Sequence, residues 1–250
     1  MPTDLGRYYE HGYGAYSHPN SVTEMGPALD KVRFRINMVM QFKPAGSLLE
    51  IGPSFGAFSY LAQQNGFQVT ALEMDKECVA FMKNTLRINA IQVDSIELAL
   101  AKLGTFDVIC MWHSLEHLAN PGALLAAIVR KLNPNGILVI ACPNPDSLQA
   151  RVLGRLWTHL DAPRHVWLGS SRFLRRILAE LGCTEIMCTA SDPDSLHLTD
   201  YGWAASLGSL SKNKIGKFLG RVFGTAIRFA AYPFRKKIGM AAGFIAIYSS

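Results

Sequence analysis

Ser47 to Gly56, SLLEIGPSFG, constrains the fold of this chain more than any other stretch. Leu48, Leu49 and Ile51 form an apolar run of strand length, Gly52 and Gly56 bracket a turn, and Ala57 to Gln64 (AFSYLAQQ) continues at helical spacing. A buried strand running through a glycine turn into a helix is the opening unit of an open parallel sheet, and such sheets bind ligands beyond the carboxyl ends of their strands. A dinucleotide site here would carry G-x-G-x-x-G, whose second glycine lets the backbone approach a pyrophosphate. This chain has Gly52, but Ser54 and Ala57 stand where the second and third glycines would be. A ligand site is expected at the turn, and the fit to a phosphate cradle is poor.

The rest of the chain alternates in the same way. Glu24 to Phe42 reads as a helix stopped by Pro44-Ala45-Gly46, and Phe67 to Leu72 as a second strand that closes at Glu73, 21 residues beyond Gly52. A carboxylate there offers two acceptor oxygens to a pair of ribose hydroxyls, which narrows the ligand to one with an adenosine ribose; the plain alternative is a solvated strand-end acid. Lys76 to Ile88 has helical spacing, and Ile91 to Val93 is a short strand with Asp94 and Ser95 at its end. Thr105 to Met111 (TFDVICM) is the near-continuous apolar run of a strand buried on both faces. A helix from Gly122 to Leu132, a turn at Asn133 to Gly136, and strands at Ile137 to Cys142, Cys183 to Thr189 and Phe244 to Tyr248 follow, with a helix at Ser171 to Leu181. Strands and helices at this interval predict an α/β, doubly wound, mostly parallel sheet of seven strands with helices on both faces.

Composition sets the outer limits. With 250 residues and 49% apolar content, the chain can bury one core plus an embellishment. Its first residues lack the apolar segment of a secretory signal, and no run approaches the roughly 18 apolar residues of a spanning helix. Five scattered cysteines, mostly in predicted strands, read as buried thiols of a reducing compartment, and a cytoplasmic location is expected. Residues 1–22 are rich in Gly, Tyr, His and Pro, and Tyr8, Tyr9, Tyr13 and Tyr16 are candidates for an aromatic flap. The expected division is 1–46 N-terminal flap and helix, 47–190 ligand-binding α/β core, 191–242 basic amphipathic helical insertion or lid, and 243–250 the final strand.

Three ordered motifs carry a resemblance. FDVICMWHSLEHLANP, then KLNPNGILVIACPN, then WTHLDAPRHVWLGSSRFLRRILAELGC are similar to the pattern of small-molecule and lipid-quinone methyltransferases of the Rossmann-like, S-adenosylmethionine-dependent class. The first motif of that class, acidic-x-G-x-G-x-G, is matched by Glu50, Gly52, Ser54 and Gly56, with serine in place of the middle glycine. Asn133 and Asn135 are further departures, and the likeness runs from about Tyr8 to Thr189. The resemblance implies a sheet whose last strand is antiparallel and S-adenosylmethionine as cofactor. It implies Glu50, Gly52, Ser54, Phe55 and Gly56 beside the methionine end, and Glu73 on the ribose. Met74 would pack on adenine, Asp94 and Ser95 would sit at its edge, and Met111, Trp112 and His113 would form the floor. The reaction implied is methyl transfer to oxygen or carbon of a small or lipid-like acceptor; a non-catalytic adenosyl-binding module and an NAD-dependent oxidoreductase are the alternatives.

A base is needed only where the acceptor must lose a proton, and histidine is the usual choice near neutrality. His113 and His165 are the first candidates and His117 the third. His117 has the alternative of bonding backbone, and Arg164-His165 that of a clasp on the substrate loop. His113, Glu116 and His117 fall at i, i+3 and i+4, so they can face one metal ion, but no fourth ligand is evident and no metal is expected.

Charge is concentrated at one end. From Tyr201 onward there are eight basic residues and no acidic one, so the net charge of +6 belongs to this segment. Ile215, Phe218, Leu219, Val222, Phe223, Ala226 and Ile227 recur at helical spacing, with Lys214, Lys217, Arg221 and Arg228 on the other side. Two readings fit: a lid packed on the domain over the substrate pocket, or peripheral membrane contact through 213–237. Nucleic-acid binding is not expected, because aromatics are not interleaved with the cations.

Overall fold

The computed structural model describes residues 19–250; the expected tyrosine flap lies outside them. Helix α1 (Gly26–Met40) precedes β1 (Gly46–Ile51), α2 (Ala57–Gln64), β2 (Phe67–Glu73), α3 (Lys76–Asn84), β3 (Asn89–Gln92), α4 (Ile96–Lys102) and β4 (Phe106–Trp112). A 3₁₀ turn at Leu115–His117 leads to α5 (Pro121–Val129), β5 (Leu132–Pro143), α6 (Leu148–Leu153), α7 (Ser171–Glu180), β6 (Thr184–Thr189), α8 (Pro193–Gly208), α9 (Lys214–Ala231) and β7 (Gly243–Ser249).

The sheet has the order β3-β2-β1-β4-β5-β7-β6, and β7 runs antiparallel to both its neighbours. The expected doubly wound architecture is present, with the antiparallel last strand. Central strands are buried on both sides, so successive apolar residues enter two cores. Val108, Cys110, Val139 and Ile247 meet α1 and α2 residues Val32, Ile36 and Phe58 on one face. Ile109, Met111, Leu138, Ile140 and Phe244 meet Leu124, Ile128 and Leu174 on the other. Strand order reverses at β1, which pairs in parallel with β2 on one side and β4 on the other. The crevice at that reversal is where such a sheet accepts a ligand.

Two local features correct the expected element boundaries. The Asn133 to Gly136 turn is an excursion within β5: β4 pairs Phe106 with Leu132 and then Val108 with Ile137. Asp107 organises it, its Oδ2 accepting from the Ser47 amide (2.8 Å) and hydroxyl (2.9 Å) and its Oδ1 from Asn133 Nδ2 (2.8 Å). Gly46 is required beside it, since a Cβ there would lie 2.5 Å from Asp107 Oδ2. The segment between β6 and β7 also holds two helices, α8 and α9, of which only the basic second was expected. Its first member, α8, is capped by Asp192 on Ser195 N (2.9 Å), and a third apolar cluster of Leu153, Trp157, Trp203 and Ala242 fastens it to the domain.

The Asn133 hydrogen bond and the Ser47 bonds hold the Asp107 carboxyl below its ordinary range. Asp107→Ala should therefore lower unfolding stability by about 1–3 kcal/mol, since it leaves donors of two strands unpaired. Because the folded-state value is depressed, the difference from wild type should be full near neutrality and shrink as pH falls through it. Urea unfolding at pH 7 and pH 3 reads both, and an unchanged midpoint at pH 7 contradicts this account of the bulge.

Candidate active site

The site is assembled from the carboxyl ends of β1, β2 and β4. After Ile51 the chain passes through Gly52, Ser54 and Gly56, with φ of +73°, +54° and +78°. Left-handed backbone favours glycine, so the serine departure falls on a residue whose conformation explains the glycine of the related motif. Gly52 has a second constraint, because a Cβ there would lie 2.8 Å from Ser114 Cβ. Ser114 Oγ donates to Ile51 O (2.8 Å), tying the end of β4 to the end of β1. At Gly56 the space for a Cβ is taken by Met82 of α3, and Phe55 packs edge-on against Phe81 of the same helix.

Glu73 joins the second strand to this bend. Its Oε2 accepts from Ser54 N (2.9 Å), while Oε1 accepts from Met74 N (2.7 Å) and Asp75 N (3.0 Å). Burial pushes the Glu73 carboxyl up, and the backbone donors oppose that shift. A carboxylate offers about four lone-pair sites, so acceptor capacity for a hydroxyl remains. Met74 is 57% exposed at the rim. Asp94 is exposed beyond β3, and Ser95 caps α4, accepting from Leu98 N (3.3 Å) and donating to Glu97 Oε2 (3.0 Å).

Beneath the bend, Glu50 is buried and receives the Ser59 hydroxyl at 2.5 Å. Burial raises its carboxyl to about 7, against the Ser59 bond and the positive charge of Arg35. Met111 and Trp112 are buried at the end of β4. Trp112 rests edge-on against Phe58 (5.2 Å), with the Arg35 guanidinium over its ring (4.9 Å), yet its buried Nε1 has no hydrogen-bond partner among the described residues. A buried indole donor without a partner is the kind of group that a polar ligand could satisfy.

His113 adopts φ +54°, held by its amide on Ala141 O (3.0 Å). Its imidazole stands between two buried acids, Nδ1 at 3.7 Å from Glu116 Oε1 and Nε2 at 4.0 Å from Asp194 Oδ2. Asp194, from α8, is paired with Arg35 of α1: Nε donates to Oδ2 at 2.8 Å, and a terminal nitrogen lies at 2.6 Å. This pair was not among the expected site residues. Its only sequence trace is an arginine on the otherwise apolar inner side of α1, beside Val32, Ile36 and Val39.

The other two histidines serve a neighbouring loop. His117 Nδ1 meets Arg164 O (3.2 Å), His165 Nδ1 meets His159 O (2.8 Å), and the two rings lie 4.8 Å apart. Val166 N and Trp167 N both donate to Glu116 O, at 3.0 and 3.3 Å. Burial pushes the Glu116 carboxyl up, but the imidazoles of His113 and His117 outweigh it and hold the group below its ordinary range. Burial depresses His117, which Glu116 only partly offsets. Among the described residues, the ligand atoms of Glu116, His117 and His165 converge within 4.8 Å of one another, a different trio from the His113, Glu116 and His117 whose spacing allows them to face one ion.

Comparison with known proteins gives this fold its family. A family model described as a methyltransferase domain matches residues 27–186. A ubiquinone biosynthesis O-methyltransferase of Xanthomonas axonopodis pv. citri is 31% identical over 135 residues, covering 51% of this chain and 56% of that protein. A protein of the same name from Rickettsia prowazekii is 27% identical over 121 residues, 46% of each. The chain thus spans about half the length of the curated relatives it matches. Among solved structures, a SAM-dependent methyltransferase from Archaeoglobus fulgidus superposes with TM-score 0.59 at 20% identity, over 89% of this chain and 94% of that one. The magnesium protoporphyrin IX methyltransferase of Synechocystis, solved with bound SAH, gives 0.56 at 14%, over 99% and 94%. At these identities the superpositions establish a common fold.

Glu50 predicts a pH signature. Its folded-state value is raised from 4.5 to about 7, so its contribution to stability is complete at acid pH and is lost as pH rises through about 7. The stability difference between wild type and Glu50→Gln should shift by up to ~3 kcal/mol between pH 4 and pH 8, the variant gaining at the alkaline end. Thermal melts across that range check it, and parallel profiles contradict a protonated Glu50.

Proposed function

The chain belongs to the methyltransferase domain family, and from that premise we propose that it is an S-adenosylmethionine-dependent methyltransferase acting on an oxygen of a small, lipid-like acceptor. S-adenosylmethionine supplies, when bound, a methyl group on an already activated sulfonium leaving group. What remains for the protein is positioning, exclusion of water and removal of one proton. Glu73 would take the ribose hydroxyls, Met74 an adenine face, and Glu50, Gly52, Ser54 and Gly56 the methionine end, with Asp94 and Ser95 at the rim. The observation that carries this reading is the Glu73 carboxylate turned inward to the Ser54 amide, which sets an acceptor between the ends of β1 and β2. The same bond argues against a dinucleotide, because a pyrophosphate would need that amide for itself.

His113 is the proposed base. It alone of the three candidate histidines stands between two buried acids, Glu116 and Asp194, which stabilise the imidazolium formed when it takes a hydroxyl proton. His117 and His165 would hold the loop that closes this side, as positioning residues. Oxygen is favoured over carbon because a phenol or enol needs such a base, and the curated relatives are named as O-methyltransferases. The proposed partners are the small-molecule or lipid-like acceptor and a membrane surface contacted peripherally through residues 213–237. The proposed division is a core of 47–190, completed by 243–250, with 191–242 inserted against the site.

Calorimetric titration should give saturable binding of S-adenosylhomocysteine and none of NADH, with Glu73→Ala weakening it at least ~10-fold through two lost hydroxyl contacts. Binding of NADH alone would overturn the cofactor. Against a catechol or hydroquinone acceptor, His113→Ala should lower kcat by about 10²-fold or more and leave S-adenosylhomocysteine affinity within about threefold. Equal loss of both would make His113 structural.

A further inference from the structure

Helix α9 presents three distinct faces along its 18 residues, about 27 Å at 1.5 Å per residue. Gly216, Gly220 and Gly224 recur every four residues on one of them, and this is the face that meets the protein. A Cβ at Gly220 would lie 2.3 Å from Leu207 O and one at Gly224 2.5 Å from Trp203 O, so α9 rests on the α8 backbone where no side chain fits. Gly224 is the one buried residue of the helix. Only Ile227 of the apolar series turns partly inward, against the Trp157 and Trp203 cluster.

The apolar face therefore points away from the protein. Ile215 is 74% exposed, Phe218 64%, Leu219 60%, Val222 52%, Phe223 63% and Phe229 62%. Tyr232 and Phe234, just beyond the helix, extend the patch at 52% and 48%. A row of large side chains left in solvent along a whole helix is not single scattered exposure, and it marks a contact surface. It also separates the two sequence readings: a lid would have turned these residues onto the domain, and α8 already covers the site through Asp194.

The third face is cationic and borders the second. Lys214, Lys217 and Arg221 of the helix, with Lys212 before it and Lys236 and Lys237 after it, are exposed, and none pairs with a described carboxylate; Arg235 alone of the segment does, with Asp200. From these observations we propose that α9 and the turn after it form an interfacial anchor that lays this chain on an anionic lipid bilayer, with the phenylalanines in the acyl boundary and the cations among the headgroups. Charge complementarity selects the occupant. Two copies meeting through this face would set the same unpaired cations against each other, and a nucleic acid would leave the apolar row uncovered. No described helix is long and apolar enough to cross a membrane, so the attachment is to one leaflet. This deepens the membrane contact proposed above and does not depend on the reaction.

The test is co-flotation of the full chain with vesicles of phosphatidylcholine alone and of phosphatidylcholine mixed with phosphatidylglycerol. Wild type should float with the anionic vesicles, far less with neutral ones, and lose binding as salt rises. Phe218→Asp combined with Phe223→Asp should lower partitioning at least ~10-fold, and Lys212→Gln, Lys214→Gln and Lys217→Gln should each cost roughly fivefold on anionic vesicles only. Both residue sets lie off the glycine face, so the thermal midpoint and S-adenosylhomocysteine affinity should stay at wild-type values. Four results would overturn the proposal: no flotation of wild type, flotation undiminished by the double variant, a wild-type dimer in light scattering that the double variant abolishes, or retention on duplex DNA or RNA at physiological salt in preference to vesicles. Intact S-adenosylhomocysteine binding alongside any of them would leave the enzymatic reading standing.

Discussion

The Ser54 amide donating to Glu73 is the bond on which the rest of this site depends. It fastens the left-handed bend after β1 to the end of β2, and it is made by a carboxylate that burial discourages from ionising. Three consecutive constraints make it available: a backbone that turns through positive φ at Gly52, Ser54 and Gly56, contact of Gly52 with Ser114, and contact of Gly56 with Met82. Each of the two glycines is needed for packing as well as for conformation. The bend is therefore a rigid part of the domain, built before any ligand arrives, which is what positioning catalysis requires.

A second layer of charge lies around it. Arg35 reaches in from α1, Glu50 from β1, His113 and Glu116 from the end of β4, and Asp194 from α8. Their arrangement links the core to the insertion: the Arg35–Asp194 pair holds the start of α8 against the crevice, and the glycine face of α9 holds the far half of α8 against α9. The segment between β6 and β7 thus presents two different sides. Its inner helix completes the acid-flanked surroundings of His113, and its outer helix carries the exposed apolar and cationic surface.

Much of this was legible in the sequence because it rests on short-range rules. The SLLEI run, the glycine turn, Glu73 at the end of an alternating strand, and the two-sided burial of TFDVICM follow from periodicity and turn chemistry; alternation of strands and helices implied the doubly wound sheet, while its strand order came from the structure. The departures Ser54, Asn133 and Asn135 have structural explanations: Ser54 and Asn135 adopt φ of +54° and +60°, and Asn133 is the partner of Asp107. What could not be read depends on distant pairs. Nothing local distinguishes Asp194 from an ordinary first-turn acid, and Arg35 meets it across 159 positions. The apolar stripe of α9 was visible, but which way it faced was decided by glycines that permit contact only on their own side. The histidines differ through backbone carbonyls at residues 159 and 164, which no spacing rule reveals.

The central claim is that Glu73 and the bend together receive an adenosyl group. A crystal structure grown with saturating S-adenosylhomocysteine tests it most directly. The account predicts the ribose hydroxyls on Glu73, the adenine against Met74, and the β1 bend unmoved. Ligand density elsewhere on the molecule, or a crevice closed over Glu73 by the chain's own side chains, would contradict it.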